Sequence, residues 1–174
     1  SGSTSDNFYV VVVDDAMDEN DETIIFSIAS NNNTYAQVSG NTTHTVTITD
    51  NDAAPTIGFN ASTANATEGN SGTTAKTAQV DISAESAKAI SANYTVTGTS
   101  TKGGTDHNLA NGTVDIAAGN TNNTIGWNVI GEALYEANET IIITLSNPTN
   151  ATLSSDKVHT YTITNDDSAP NLAF

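Results

Sequence analysis

Ile125-Gly126-Trp127-Asn128-Val129 decides the fold, because apolar side chains occupy every second position along it. Successive side chains of a β-strand point to opposite faces of the sheet, so the three apolar side chains share one face. The same period of two recurs in the surrounding segments 56–59, 77–82, 90–96, 112–116, 141–145 and 161–163. About seven strands with turn residues between them predict an all-β fold, a two-sheet β-sandwich of the immunoglobulin-like Greek-key type.

The chain repeats its own sequence. Residues 2–29 align without a gap on residues 119–146, at a shift of 117 positions. Residues 43–59 align on residues 158–174 at a shift of 115, so one repeat is about 115 residues long. The alignment predicts the C-terminal half of a repeat at 1–52, a complete repeat at 55–167 and the first strand of a following repeat at 168–174. The short acidic joints between these units predict closely stacked neighbours.

The half repeat at 1–52 contributes only three of the predicted strands. Its first predicted strand carries Phe8, Val10 and Val12, which align on the three apolar residues of segment 125–129. Three strands leave an apolar face and open sheet edges without a cover. The sequence therefore predicts that the missing half comes either from preceding sequence or from a neighbouring chain.

The charge balance excludes two classes of partner. The chain has 20 acidic residues against 4 basic ones, all of them Lys, and a net charge of −16. Phosphate recognition requires clustered basic residues, so nucleic-acid binding is excluded, and an anionic membrane surface would repel the chain. No apolar run approaches the ~20 residues of a transmembrane helix. The chain has no Cys, so disulfides carry no information about its compartment.

The acidic residues are concentrated in a few short segments. Those segments contain Asp14, Asp15, Asp18, Glu19, Asp21, Glu22, Asp50 and Asp52 in the first copy, and Glu68, Asp106, Glu132, Glu136, Glu139, Asp166 and Asp167 in the second. Like charges ~4 Å apart repel by about 4 kcal/mol at an effective dielectric of ~20, so a dense cluster calls for a cation. Ca²⁺ accepts about 6–8 oxygen ligands from flexible loops and suits this set better than Mg²⁺, zinc or copper. The alternative is a solvated acidic loop, and the return of the cluster in both copies favours calcium.

Short motifs occur in a fixed order along the two copies. The complete repeat contains Thr-Glu-Gly-Asn-Ser-Gly at 67–72, Tyr-Thr-Val-Thr-Gly-Thr at 94–99, Gly-Gly-Thr-Asp at 103–106, Glu-Ala-Asn-Glu-Thr at 136–140 and Thr-Ile-Thr-Asn-Asp-Asp at 162–167. The half repeat contains Asp-Asp at 14–15, Glu-Asn-Asp-Glu-Thr at 19–23 and Thr-Ile-Thr-Asp-Asn-Asp at 47–52. As an ordered set, these motifs resemble the Calx-β domain, the calcium-binding β-sandwich of sodium–calcium exchangers that also recurs in large bacterial surface proteins and adhesins.

The resemblance implies a set of calcium ligands in each copy. In the complete repeat they are Glu68, Asp106, Glu132, Glu136, Glu139, Asp166 and Asp167, and in the half repeat Asp14, Asp15, Glu19, Glu22, Asp50 and Asp52. Two positions of the family pattern are weakened in the complete repeat, where its Asp pair is Gly131-Glu132 and its terminal triplet begins with Asn165. The half repeat lacks equivalents of Glu68 and Asp106. Calcium is thus the expected cofactor at both repeat ends. The departures from the family pattern leave open the alternative that fewer ions bind.

Nine Asn-x-Ser/Thr sequons are candidates for glycosylation. Their asparagines are Asn32, Asn41, Asn60, Asn65, Asn93, Asn111, Asn122, Asn138 and Asn150. Chance alone accounts for many sequons in a chain this rich in Asn, Ser and Thr. Whether they are glycosylated depends on the host.

No set of residues predicts catalysis. His44 and His159 are equivalent positions in phase with core residues, and Trp127 alternates with core residues, so structural roles are expected. His107 stands beside Asp106, but the sequence offers no nucleophile with an oxyanion site to complete a triad. The chain is therefore not expected to be an enzyme.

The predicted function is a non-catalytic structural module of an extracellular, cell-surface tandem-repeat protein or adhesin, in which calcium at the repeat ends stiffens the joints. The alternative is a subunit of a surface filament or layer, in which strand addition from a neighbouring chain completes the half repeat. The expected partners are neighbouring repeats or identical chains. A ligand-binding adhesin domain would require a glycan or protein partner that the sequence does not identify.

Overall fold

The computed structural model describes residues 7–29, 38, 40–100 and 106–174. Strands provide all the regular secondary structure in these ranges, which confirms the predicted all-β class. They are β1 (Glu22–Ser27), β2 (Thr43–Ile48), β3 (Thr56–Phe59), β4 (Thr63–Thr67), β5 (Thr73–Ile82), β6 (Ile90–Gly98), β7 (Gly112–Ile116), β8 (Asn122–Ile130), β9 (Glu139–Thr149), β10 (Thr152–Leu153) and β11 (Val158–Thr164). A helix with the length and apolar character to cross a membrane does not occur among the described residues.

The complete repeat folds into two sheets. One sheet has the strand order β10-β3-β5-β8, and the other has the order β4-β11-β9-β6-β7. Neighbouring strands are antiparallel, except that β10 runs parallel to β3 and β4 runs parallel to β11. One cluster of buried apolar side chains contains residues from both sheets. The complete repeat is therefore a β-sandwich, as its alternating sequence predicts.

The predicted inward faces form the core. Ile125, Trp127 and Val129 of β8 are all buried. Trp127 packs edge-on against Tyr161 of the opposite sheet, with ring centroids 5.2 Å apart. Because Trp127 lies in the core, its large apolar surface stabilises the contact between the two sheets.

Two strands of the complete repeat were not predicted, so its described residues form nine strands rather than about seven. β4 has the sequence Thr-Ala-Asn-Ala-Thr, in which only two small Ala side chains mark the inward face. β10 is two residues long. Both strands exist through backbone pairing to a distant segment, a parallel ladder from β4 to β11 and another from β10 to β3. Because both strands depend on backbone pairing, their sequences lack the strong apolar alternation that would predict a strand.

In the described part of the half repeat, β1 and β2 form an antiparallel pair. The third strand predicted in this unit, at residues 8–13, is wrong: the segment has no strand pairing, and its large apolar side chains range from 46% exposed at Val10 to 88% exposed at Tyr9. The equivalent strand of the complete repeat, β8, pairs with β5 over nine positions. The described part of the half repeat contains no counterpart of β5, so residues 8–13 lack the neighbour that would make them a strand.

A contact between two loops joins the half repeat to the complete repeat. Asp18 and Ser86 form an isolated parallel bridge. The Ser86 hydroxyl donates to the carbonyl oxygen of Asp18 at 3.0 Å and lies 3.1 Å from its carboxylate. Lys88 Nζ donates to Asp18 Oδ1 at 2.7 Å and lies 3.9 Å from Asp50 Oδ2. The two units are therefore in direct, charge-assisted contact.

Candidate metal centre

The ends of two parallel strands place the first predicted ligands of the complete repeat side by side. β4 and β11 end in register, with Thr67 paired to Thr164. Glu68 directly follows β4, whereas Asp166 and Asp167 lie shortly after the end of β11. The parallel ladder, which the sequence did not predict, therefore brings these three carboxylates to the same end of the sandwich.

The remaining predicted ligands come from segments around β8 and β9. Glu132 and Glu136 lie in the connection between these strands, and Glu139 begins β9. Asp106 lies beside the end of β8, where its carbonyl oxygen accepts a hydrogen bond from the Ile130 amide at 2.9 Å. This end of the sandwich is thus built from four separate parts of the chain.

Two groups of three carboxylates converge closely enough to share a metal ion. The groups are Glu68 with Asp166 and Asp167, and Asp106 with Glu136 and Glu139. Within each group, one carboxylate oxygen per residue lies within 4.8 Å of the others. The structure therefore brings together six of the seven positions predicted in the complete repeat, and the seventh, Glu132, acts on Glu68 and Glu136 through its charge.

Two carboxylate oxygens of the first group are buried without a hydrogen-bond partner. They are Glu68 Oε1 and Asp167 Oδ2. Glu68 as a whole is only 7% exposed. A buried acceptor left unsatisfied costs about 1–3 kcal/mol, and more when it is charged. A hard cation such as Ca²⁺ or Mg²⁺, which prefers oxygen ligands, would satisfy both atoms, so the residues fit a divalent ion.

Burial and neighbouring carboxylates raise the pKa values of Glu68, Glu136 and Glu139. Burial, and then a hydrogen bond with Asp106, raise the pKa of Glu139 to about 7. Burial, followed by the charges of Glu136 and Glu132, raises the pKa of Glu68. Burial and the charge of Glu132 raise the pKa of Glu136 as well. Like charges brought together disfavour the ionised state, and a bound cation would relieve that repulsion.

Hydrogen bonds connect the loop after β4 to the segment after β11. The Gly69 amide donates to Asp166 Oδ1 at 3.2 Å. The Asn70 side-chain amide donates to Asp167 Oδ1 at 2.6 Å. Each of these aspartates therefore has one oxygen held by the loop, which restricts how the carboxylate can turn.

A close backbone approach explains why the complete repeat departs from the family pattern at Gly131. A Cβ atom at this position would overlap the carbonyl oxygens of Glu68 and Gly69. No side chain fits there, so no acidic residue can occupy the position in this conformation. The half repeat has Asp14 at the equivalent position and contains no counterpart of the Glu68 segment.

The half repeat gathers its predicted ligands around an open pocket of about 290 Å³. The acidic residues that line it are Asp14, Asp15, Glu19, Asp50 and Asp52. Burial, then the charges of Asp15 and Glu22, raise the pKa of Glu19. Glu22, the sixth predicted ligand, is not among the residues that line the pocket. In the described part of the half repeat, no three carboxylates converge within 4.8 Å. The half repeat therefore collects the acids without the tight grouping of the complete repeat.

The two copies close their acidic loops with equivalent hydrogen bonds. The Asp50 amide donates to Asp21 Oδ1 at 3.0 Å, and the Asn165 amide donates to Asn138 Oδ1 at 3.2 Å. The side chains of Asp50 and Asn165 then accept equivalent bonds from the amide two residues later, at 3.5 and 3.4 Å. The change from an acid to Asn165 therefore preserves the loop geometry and removes a charge.

Asp18 makes a contact that the sequence did not predict. It is 5% exposed and pairs with Lys88 instead of lining the acidic pocket. Its equivalent in the complete repeat is Tyr135, which is 54% exposed. The change from an acid to an aromatic residue between the copies was the available signal that Asp18 does not belong to the repeated ligand pattern.

The predicted structural histidine of the complete repeat is buried. His159 packs against Phe59 with ring centroids 5.4 Å apart, and its Nδ1 lies 2.6 Å from the carbonyl oxygen of Ala61. His107 is also buried, and its Nδ1 accepts a hydrogen bond from the Leu109 amide at 3.0 Å. Both rings thus hold neighbouring backbone in place.

Eight of the nine sequon asparagines lie on the surface. The exposed residues are Asn41, Asn60, Asn65, Asn93, Asn111, Asn122, Asn138 and Asn150. Asn32 lies outside the described residues. Glycosylation at these positions stays a prediction.

Comparison with known proteins agrees with the fold and with the order of the motifs. The model of the Calx-beta domain family matches residues 1–52 and 50–167. The chain belongs to the Calx-beta family. The crystal structure of the apo form of the Calx CBD1 domain is 20% identical and has a TM-score of 0.58, over 66% of this chain and 100% of that one. The structure of the Calx CBD2 domain is 11% identical and has a TM-score of 0.53, over 62% of this chain and 84% of that one.

A larger Calx structure shares the same fold. The calcium binding domain CBD12 of CALX1.1 is 22% identical, with a TM-score of 0.56 over 64% of this chain. This Calx-beta chain covers 44% of that protein. No curated protein matches the chain. The structural comparisons show the Calx-beta sandwich fold for this chain.

Proposed function

We propose that the chain is a non-catalytic structural module of an extracellular tandem-repeat surface protein or adhesin, stiffened by calcium at the repeat ends. The proposal rests on the buried oxygens Glu68 Oε1 and Asp167 Oδ2, which have no hydrogen-bond partner and lie in a group of three carboxylates. The related CBD12 of CALX1.1 is named a calcium binding domain, which favours calcium over other hard cations. Free calcium is abundant outside cells, where modules with dissociation constants of about 10⁻⁴–10⁻³ M operate.

The residues of the complete repeat would hold calcium in two neighbouring groups. Glu68, Asp166 and Asp167 would bind one ion, and Asp106, Glu136 and Glu139 would bind a second. These residues lie after β4, after β11 and around the β8–β9 connection, so a shared ion would cross-link segments that are far apart in sequence. Bound calcium would supply positive charge to this cluster and no redox chemistry.

The position of the half-repeat pocket supports a role in stiffening the joint. Asp50 lines the pocket, and its Oδ2 also lies 3.9 Å from Lys88 of the complete repeat. Lys88 in turn pairs with Asp18. An ion held in the pocket would fix Asp50 and so restrict the loop that carries the contact between the two units.

Titration calorimetry and thermal melts test the calcium proposal. Calcium should bind the purified chain and raise its melting temperature, whereas chelator should lower it. The double variant Glu68→Gln with Asp167→Asn should lose most of this stabilisation. Asp115→Asn, which removes a charge from an exposed position on β7, is the matched control and should respond like the wild type. Identical melting temperatures in calcium and in chelator would refute the proposal.

A second candidate function is a subunit of a surface filament or layer. The observation that favours it is the uncovered apolar surface of the half repeat, where Phe8, Val12 and Ile28 are between 54% and 67% exposed. Exposed apolar patches of this kind often mark interaction surfaces. A neighbouring chain that supplied the missing strands would bury this surface.

A further inference from the structure

We propose that residues 86–88 of the complete repeat form a docking surface that selects the neighbouring repeat by acidic residues at two positions. The partner that fits this surface is a Calx-beta repeat with acids at the positions of Asp18 and Asp50. A repeat with uncharged residues at both positions does not fit. This inference goes beyond the proposed function, because it concerns which repeats can be neighbours and does not require calcium.

The complete repeat holds the docking surface in place with its own hydrogen bonds. The carbonyl oxygen of Ser86 accepts a hydrogen bond from the Gly119 amide at 2.9 Å. The carbonyl oxygen of Ala89, next to the surface, accepts one from Asn150 Nδ2 at 2.8 Å. Within the surface, the Lys88 amide donates to Ser86 Oγ at 3.1 Å, and this hydroxyl in turn donates to the partner. A surface whose donors are already oriented loses less entropy when a partner binds.

One part of the contact is independent of the partner's side chain. The Ala87 amide and the Ser86 hydroxyl both donate to the backbone carbonyl oxygen of Asp18, at 3.1 and 3.0 Å. Every residue has this carbonyl group, so the two bonds fix the position of the partner's loop without selecting its sequence. Selection therefore depends on the side chains.

The other part of the contact requires carboxylates. Asp18 is buried, and its Oδ1 accepts a hydrogen bond from Lys88 Nζ at 2.7 Å. Its Oδ2 lies 3.1 Å from Ser86 Oγ, and Ser86 is also buried. Lys88 Nζ lies 3.9 Å from Asp50 Oδ2, and the Lys88 side chain is only 20% exposed. Because a charge removed from water must be paired, a neighbour without these acids would leave the Lys88 ammonium group without a partner at the joint.

The two copies differ at both positions that face the lysine. Asp18 aligns on Tyr135, and Asp50 aligns on Asn165. The end of the complete repeat therefore lacks both carboxylates that a docking surface with a lysine at the position of Lys88 requires. Discrimination between partners is a difference between two affinities, and here a charged pair contributes to only one of them. The joint between the two units is thus specific to a repeat with the acidic residues of the half repeat.

Hydrogen exchange of the 174-residue chain tests this selection. It is measured in chelator, so that calcium in the half-repeat pocket cannot hold the joint. The double variant Asp18→Tyr with Asp50→Asn gives the half repeat the residues of the complete repeat. Its Ala87 amide should exchange at least about tenfold faster than in the wild type, because the joint opens more often once a hydrogen bond to a charged group is lost. Asp21→Asn neutralises an acid of the same loop and keeps an acceptor for the Asp50 amide, so this matched control should exchange like the wild type.

A charge reversal tests whether the two side chains pair directly. Asp18→Lys and Lys88→Asp should each speed exchange at Ala87, because each places like charges together. The combined variant should recover the protection of Ala87, which a merely structural role of Asp18 would not produce. The Ile28 amide, which donates to the Thr42 carbonyl oxygen at 2.8 Å, reports in each variant whether the half repeat is folded. Because the combined variant is judged by recovery, the test holds even where a single variant loses the fold of the half repeat.

Two results would overturn the inference. One is exchange at Ala87 that is equally fast in the wild type and in the double variant with tyrosine and asparagine. The other is faster exchange in both single charge variants with no recovery in the combined variant. Neither result depends on calcium, so calorimetry decides the calcium proposal separately.

Discussion

The half repeat and the complete repeat share a sequence pattern, but only the complete repeat buries it. Val12 and Val129 are equivalent residues, yet Val12 is 54% exposed and Val129 is 1% exposed. The difference lies in the neighbours, because β8 is covered by β5 and by the opposite sheet, and residues 8–13 are not. An alternating pattern therefore records which face a strand can bury, whereas burial itself requires strands from distant sequence.

The largest expected effect comes from the same substitution made in each copy. Ile141→Ala removes a fully buried side chain from β9 and should lower the free energy of unfolding by about 2–5 kcal/mol. Ile24→Ala changes the equivalent residue of β1 and should leave the main urea transition almost unchanged, because the described residues of the half repeat contribute nothing to the buried apolar core. Urea denaturation of both variants provides the measurement. Equal losses would mean that the half repeat has a core of its own.

Calcium ligands offer the next comparison between the copies. At free calcium of about 100 times the dissociation constant, one site adds about 2.7 kcal/mol to stability. Glu68→Gln should remove most of this increment, because Glu68 contributes a buried oxygen without a partner. Asp15→Asn in the open half-repeat pocket should remove a smaller part of the stability that calcium adds. Thermal melts at matched calcium concentrations would measure both, and a larger loss for Asp15→Asn would reverse the assignment of the stronger site.

Proton competition should produce a smaller effect at the complete repeat. Burial and Asp106 raise the pKa of Glu139 to about 7, so this carboxyl binds a proton in the folded protein at a pH where the unfolded chain does not. In chelator, its contribution to stability should therefore fall as the pH rises from about 4.5 to 7. Calcium must displace this proton, so affinity should fall about tenfold between pH 7.5 and pH 6. Calorimetry in buffers of different ionisation enthalpy should detect the released proton, and Glu139→Gln should reduce the release.

The smallest expected effect is local and concerns the joint. The Ala87 amide donates to the carbonyl oxygen of Asp18 at 3.1 Å, and Lys88 holds the Asp18 carboxylate. Lys88→Met removes the charge and should speed hydrogen exchange at Ala87 without changing the unfolding of the complete repeat. Lys157→Met, a charge change at an exposed position before β11, is the control. Unchanged exchange in the Lys88 variant would show that the joint does not depend on the ion pair.

Local pattern predicted much of the fold. β5 to β9 and β11 were predicted because apolar residues such as Val80, Val114 and Ile163 recur at every second position. β4 was not, because its inward residues are Ala64 and Ala66, whose small side chains resemble a polar loop in composition. Residues 8–13 were predicted as a strand from pattern alone, and the absence of a pairing partner could not be read from their own sequence.

Part of the candidate site was predicted because its acidic residues recur in both copies. The rest was not predicted because it depends on contacts between distant segments. Repeated acids mark Glu136 and Glu139, which have counterparts at Glu19 and Glu22. Which carboxylates converge depends on the parallel pairing of β4 with β11, a contact between residues nearly 100 positions apart. Asp18 was missed because its partner belongs to the other unit, and pattern within one repeat contains no information about contacts between repeats.

The parallel pair β4–β11 also has a mechanical consequence. The chain enters the complete repeat just before β3 and β4 and leaves it directly after β11, so tension on the two ends would draw the parallel strands past each other lengthwise. The ladder joins five residue pairs, from Thr63 with Thr160 to Thr67 with Thr164, and such sliding loads them together rather than one after another. A repeat loaded in this shear geometry resists extension more than a repeat whose strand pairs separate one after another from an end. Single-molecule pulling should find an unfolding force that drops when Ala66→Pro removes an amide from the ladder.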